Sequence, residues 1–384
     1  MLDGITVLDL GSVGPAARAS RWLADYGATV VKVGPVPTHA GVQIAPPFHA
    51  YGAHRGLKRL LVDLKAPAGR ATFLRLAGGA DVVIESFRPG VIERLGIGYE
   101  QLRAVNPGIV VCSTSGYGQD GPHAEWAGHD LNYLAVSGFL ACSGRGPDGR
   151  PPIPGATVAD GAGGGMHAVV AILAALVRRS TTGQGAHLDV SAADGMLALM
   201  ALAIDDYLAT GAPQGPGEGR LTGRYADYGV YGTSDGRWLT VAAIEPRFWA
   251  NLCRALGLER WIEHQADDEV QDQVRADIEA VLRTRTRDEW VAELAPADTC
   301  VAPVLEVDEV VDDAQYNARR AFVTAKHPTH GTFRQVGAVW AGAVEVSDDA
   351  EVRDASVTDT DALLGAAGLS PGEIAALRSE GVVA

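Results

Sequence analysis

Residues 5–33 read ITVLDLGSVGPAARASRWLADYGATVVKV, and their order decides the fold. ITVLDL (5–10) is a short apolar, β-branched run with the length and composition of a buried strand. A glycine-containing turn leads to Pro15, which suits the first position of a helix because its missing N–H has no partner to lose there. GPAARASRWLADYG (14–27) then carries helical spacing, and ATVVKV (28–33) is the next strand. Strand, helix and strand in that order define a parallel crossover unit.

The same alternation continues outward. RLLVDLK (59–65), DVVIESF (81–87), GIVVCSTS (108–115) and AHLDVS (186–191) read as further strands with helical segments between them. The expectation is an α/β lobe over residues 1–210, built on a parallel sheet covered on both faces. Two Gly/Pro-rich stretches, SGRGPDGRPPIPG (143–155) and GAPQGPGEGRLTG (211–223), break regular structure, and the second reads as a linker. Beyond it a strand, RWLTVAAI (237–244), and several amphipathic helical patterns predict a smaller α/β lobe over residues 211–325. DGAGGGMHAVVAILAALVRRSTTG (160–183) reads as a glycine-rich entry to one long buried helix.

A chain of 384 residues exceeds one ordinary core, which agrees with two lobes. Its formal net charge of −15 argues against nucleic acid as a partner, since phosphate backbones need a basic surface. The start, MLDGITVLDL, lacks the basic and apolar segments of a secretory signal, and no apolar run reaches the roughly 18 residues that would span a bilayer. Cys112, Cys142, Cys253 and Cys300 form no C-x-x-C pair, so neither a zinc site nor a disulfide framework is expected. A cytoplasmic protein bound to no membrane and carrying no metal is the expectation.

The first turn does not match G-x-G-x-x-G, and the second strand ends in VKVGP without the acidic residue that would hold a ribose. Nicotinamide chemistry is therefore disfavoured. Neither a P-loop nor a G-x-S-x-G elbow is present. KHPTHG offers His327 and His330, which read as surface residues. Arg55, Lys58, Arg59, Arg88 and Arg94 cluster near strand ends and suit phosphate capture, or else ordinary solvated surface. His129 and Asp130 stand where a helix begins, so they are either caps or one entrance to a pocket. Asp160 precedes GAGGG; it is a helix cap, or a functional group at a turn whose glycines let backbone approach a ligand.

In order along the chain, LDGITVLDLGSVGPAARASRWLADYGATVVKV, HRGLKRLLVDLK, ADVVIESFRPGVIERLGIGYEQLRAVNPGIVVCSTSGYGQDGP, AGHDLNYLAVSG, VADGAGGG and TGQGAHLDVSAADG resemble the family III CoA-transferase superfamily. Within it, Gly128-His129-Asp130 and Glu245 in AIEP resemble the alpha-methylacyl-CoA racemase branch rather than the transferases, which use the aspartate matching Asp160 as a nucleophile. The resemblance implies a large Rossmann-like lobe, a smaller α/β lobe, a C-terminal segment (326–384) returning to the large lobe, and an intertwined homodimer. It implies catalysis by His129 and Asp160 with Glu245 in support, and contacts to coenzyme A from Val13, Arg55, Lys58, Arg88 and Arg94. Coenzyme A would enter as part of the substrate thioester, with no separate cofactor. The chain departs from the pattern at Gly34, where relatives carry an acidic residue, and at Leu57, where they carry a basic one.

The chemistry implied is inversion of an α-carbon beside a thioester: one group removes a proton from one face while another returns one to the opposite face. Asp160 must then hold a proton near neutral pH, which requires an apolar or anion-rich setting. Backbone N–H groups of the 160–165 turn are the expected donors to the enolate oxygen. The rivals are CoA transfer through an acyl-Asp160 anhydride and a non-catalytic acyl-CoA binder.

Overall fold

The computed structural model describes the whole chain except Ser12, residues 38–46, Ala53, Asp348 and Ala355. It divides into two compact units. The first comprises Met1–Ser137, Pro154–Met200 and Ala314–Ala384; the second comprises Gly138–Ile153 and Ala201–Asp313.

The first unit is built on six parallel strands: β1 (Thr6–Asp9), β2 (Thr29–Gly34), β3 (Lys58–Leu61), β4 (Val82–Glu85), β5 (Val110–Ser115) and β6 (Ala186–Ser191). Their order is β3-β2-β1-β4-β5-β6. The order reverses direction between β1 and β4, the place where open α/β sheets form a crevice at the carboxyl ends of their strands. One face of the sheet carries α1 (Gly14–Asp25) and the long helix that ends at Thr182. There Val7, Val30, Val82, Ile84, Val110 and Val190 pack against Ala16, Ala19, Leu23, Ala168 and Ile172. The other face carries Leu8, Val31, Leu60, Val83 and Val111, covered by the helix Pro67–Ala77 and by the end of the chain through Leu364, Ile374, Val382 and Val383. Valine-rich strands are apolar on both faces because both faces are buried.

The return of the C-terminus is fixed by main-chain bonds: Asp63 N–H donates to Val382 O at 2.8 Å, and Val62 bridges Val383. A small sheet of β10 (Phe322–His327), β11 (Gly331–Val336) and β12 (Ala350–Glu351) also belongs to this unit. The second unit is a three-stranded antiparallel sheet, β7 (Tyr228–Gly232), β8 (Trp238–Ala242) and β9 (Val301–Pro303), whose core forms around Trp249, Leu239, Leu252 and Ile278.

Several expectations change. The helix after β6 is broken at Met200 into Ala192–Leu199 and Ala201–Thr210, and only the first half stays with the large unit. The Gly/Pro-rich stretch before residue 154 goes with the small unit, where Cys142 Sγ lies 3.6 Å from Gln214 O. The first unit resumes at Ala314 rather than at 326. His327 is not a surface residue: it is buried at the end of β10, where its Nδ1 accepts the N–H groups of Thr329 and His330 and closes the hairpin. The expected helix at 160–183 begins as a π-helical segment, Ala159–Met166, and continues as α2 (His167–Thr182). Those 24 residues are together long and apolar enough to cross a membrane, although the separate apolar runs are not; here Ala168, Val169, Ile172 and Ala175 lie buried in the core.

Glu85, 1 % exposed at the end of β4, accepts the N–H of Phe87 at 2.6 Å, and burial pushes its carboxyl up to about 7. Between the ordinary carboxyl range and pH 7 the folded chain keeps a proton that the unfolded chain releases, so stability falls as pH rises through that window. The effect amounts to about 3 kcal/mol. Urea titrations at pH 4.5 and 7.5 are expected to show the loss in the wild type and a smaller one in Glu85→Gln; equal pH dependence in the two would contradict this account.

Candidate functional site

Asp9, at the end of β1, has no solvent exposure, and two groups satisfy it: Lys32 Nζ from β2 at 2.6 Å and the N–H of Gly11 at 2.7 Å. This fastens the turn before α1. Val13 is the N-cap of α1, half-buried and without a side-chain cap, and Gly14 follows with φ 69°, a left-handed conformation that glycine adopts without strain. A Cβ on Gly14 would lie 3.9 Å from Asp160 Oδ2, so the first turn and Asp160 adjoin.

The glycines after Asp160 serve packing within the protein. A Cβ on Gly164 would fall 2.6 Å from Pro15 Cγ, on Gly165 2.9 Å from Trp22, and on Gly163 2.6 Å from Ala192 O. The run lets α1 and the helix after β6 approach the π-helical backbone closely. This corrects the expectation that the glycines open the backbone to a ligand. Two of the expected enolate donors are also committed: Asp160 N–H donates to Asp130 Oδ1 at 2.8 Å, and Gly161 N–H to Thr157 O at 3.0 Å. Asp160 is not the helix cap either, since the N-cap is Val158.

The Asp160 carboxyl is held above its ordinary range, chiefly by burial. Arg18, with Nη1 at 3.8 Å from Oδ2, opposes that rise; Asp130 adds to it, and His129 opposes it. Arg18 is fixed by Thr157 Oγ1 and by Gly14 O, and its guanidinium lies 4.7 Å from the centre of the Tyr51 ring. It was missed in the sequence, where its only mark is a place in the second turn of the helix that follows the glycine turn.

His129 is the N-cap of the helix Asp130–Val136, and its main-chain O accepts the Asn132 N–H at 2.8 Å. Its own N–H donates to Asn132 Oδ1 at 3.0 Å, and the imidazole is exposed. Asp130 engages the Asp160 main chain and thereby ties the His129 helix to the Asp160 segment. Tyr133, buried beneath, donates its hydroxyl to Gly128 O at 2.6 Å. The first unit thus brings His129, Asp130, Asp160 and Arg18 into one electrostatic neighbourhood. Glu245 belongs to the second unit, exposed at the N-cap of the helix Pro246–Ala255 with Cys300 close enough to feel its charge.

The expected phosphate ligands divide. Arg55 is 4 % exposed, 3.6 Å from Asp25 and bonded to Gln335 and Val336 O, with burial pulling its guanidinium down to about 10. From the interior it joins α1 to β11, while its Nε and Nη2 have no hydrogen-bond partner. Lys58, Arg88 and Arg94 are exposed. Lys58 lines a narrow cleft with Lys32, His54, Arg59, Arg353 and Asp354. His54 is driven down to about 4 by burial and by Lys32, Arg59 and Arg21, and so remains neutral among these cations. Arg353 reaches this cleft from the far end of the chain and is held there by both oxygens of Asp359, as Lys32 is by Asp9, so Lys58 is its exposed cation. Among the described residues, no group of three metal-ligating side chains forms.

The first unit thus carries a Rossmann-ordered sheet, a histidine and an aspartate within electrostatic reach of each other, and a cleft lined by cations. The chain belongs to CoA-transferase family III, whose sequence model matches residues 2–350. It is 34 % identical over 326 residues to human alpha-methylacyl-CoA racemase, covering 85 % of this chain and 83 % of that one. It is also 33 % identical over 342 residues to the succinate–glutarate CoA-transferase of Agrobacterium fabrum, covering 83 % of each. Among solved structures, a CAIB/BAIF family protein from Brucella suis superposes with TM-score 0.72 at 30 % identity, over 91 % of this chain and 93 % of that one. The family is enzymatic and contains both racemases and CoA-transferases.

Arg18→Gln removes the nearest cation from Asp160 and is expected to raise its titration midpoint further. Carbon-13 NMR of the carboxyl, with Asp160→Asn to assign the resonance, measures this; a midpoint that stays or falls would show that Arg18 does not set the proton affinity.

Proposed function

We propose that the protein racemises 2-methyl-branched acyl-CoA esters by two-base proton transfer. Neutral His129 removes the α-proton of one enantiomer, the electron pair moves into the thioester carbonyl, and protonated Asp160 returns a proton to the opposite face. For the other enantiomer the roles exchange. The observation that carries this reading is the partly buried Asp160 carboxyl, its proton affinity raised chiefly by burial, in electrostatic contact with His129, whose imidazole is exposed. Burial of a carboxyl favours its acid form over its nucleophilic one. Lys58 and the basic cleft would receive the CoA phosphates, with Arg88 and Arg94 as further contacts, Val13 packing near the nucleotide and Glu245 supporting the proton balance. Coenzyme A enters with the substrate, and no other cofactor takes part.

One observation favours the second reading. Arg18, 3.8 Å from Asp160, stabilises the carboxylate that would attack a thioester carbonyl in CoA transfer. We further propose an intertwined homodimer in the cytoplasm. Its support is the apolar surface left on the first unit by Val170, Val177, Leu197 and Leu199, each more than half exposed.

Incubation with 2-methylacyl-CoA in D₂O is expected to give α-deuteration and loss of optical purity. His129→Ala should reduce exchange at least 10²-fold while ester binding persists, in keeping with the usual worth of a general base. Full exchange in His129→Ala would overturn the two-base assignment. An acyl-hydroxamate formed from Asp160 with hydroxylamine during turnover would establish the transferase instead.

A further inference from the structure

The loop between β5 and the His129 helix, GYGQDGPHAEWAG (116–128), carries aromatic side chains that the two-base reading does not use. His123 and Trp126 stack with ring centres 3.7 Å apart and planes 24° apart. Tyr117 stands edge-on to both, at 6.1 and 5.9 Å, and edge-on to Tyr133 at 5.1 Å. Tyr133 in turn bonds Gly128 O, next to His129. Gly116 and Gly128 make room for these rings: a Cβ on Gly116 would come 2.4 Å from Tyr133, and on Gly128 2.8 Å from the Tyr117 hydroxyl.

The loop is held at several points. Gly118 N–H donates to Ser115 Oγ at 2.8 Å, Gln119 N–H to Asp189 Oδ2 at 2.9 Å, and Trp126 N–H to His123 O at 2.9 Å. Trp126 nevertheless remains 54 % exposed. An indole with one face stacked on a neighbour, its backbone tied down and half its surface open is a pre-organised flat platform. It precedes His129 by three residues, a reach of at most about 10 Å of chain.

We infer that Trp126, supported by His123 and Tyr117, is a specificity-determining residue that stacks on a planar group carried near the α-carbon, so that aryl-substituted acyl-CoA esters are preferred over alkyl ones. This rests on the acyl-CoA reading above. A flexible alkyl chain gains only burial from a rigid ring face, whereas an aryl group also gains offset stacking. That difference corresponds to about three- to tenfold in affinity.

The test compares 2-phenylpropionyl-CoA with 2-methyloctanoyl-CoA, an ester of the same carbon number, on the full-length wild type, Trp126→Ala and Trp126→Phe. Dissociation constants come from calorimetry, KM and kcat from α-deuteration, and oligomeric state from light scattering. The wild type is expected to bind the aryl ester the more tightly. Trp126→Ala should lower that preference at least threefold, through the dissociation constant and KM with kcat largely kept, and Trp126→Phe should restore most of it. Equal losses on both esters, no preference in the wild type, or a changed oligomeric state without a changed preference would each overturn the inference. Absence of exchange with either ester would count against racemisation alone, because the calorimetric preference still decides the role of Trp126.

Discussion

A buried charge pair governs the geometry of the large unit. Asp9 ends β1 with no access to water, and its carboxylate is tolerable there because Lys32 of the neighbouring strand and the Gly11 N–H both meet it. Removing one partner from such a pair leaves an uncompensated interior charge, at a cost of about 3–5 kcal/mol. The pair does more than hold two strands together. By gripping Gly11 it sets the turn from which α1 departs, and α1 presses Pro15, Arg18 and Trp22 against Gly164 and Gly165. Asp160 stands at the start of the segment that α1 packs against.

The electrostatics at Asp160 are a contest between burial and Arg18. Burial and Asp130 favour the proton, while Arg18 and His129 favour its release. Asp130 has a double part in this, since it raises the proton affinity of Asp160 through space and grips its main chain. Asn132 accepts the His129 N–H and so fixes the main chain where that helix starts.

Much of the fold was legible in the sequence. The strands from β1 to β6 lie within a residue or two of the apolar runs at most of their ends, and AHLDVS matches β6 residue for residue. β3 ends four residues early: Val62 N–H still donates to Gly34 O of β2, and around it Leu61, Val62 and Asp63 meet the C-terminus. Gly183, in the left-handed conformation at φ 68°, ends the long helix as its sequence foretold. The break at Met200 was not legible, because apolar residues run through it without a proline or glycine. Burial of His327 escaped for a similar reason: its position beside a proline suggested a loop, whereas its ring accepts two backbone N–H groups of its own hairpin.

The sequence by itself determined the local choices: which runs are strands and where most helices start. Periodicity and turn preferences act over a few residues, so they can be read from a few residues. Tertiary structure alone decided the fate of each charge. Arg55 and Lys58, three positions apart in one basic cluster, end as an interior tie and an exposed cation, because Asp25 and Gln335 happen to meet the first. Arg18 and Arg353, unremarkable in the chain, come to lie beside Asp160 and in the basic cleft. Burial and Coulomb interaction depend on what surrounds a group in space, and residues more than a hundred positions apart supply those surroundings here.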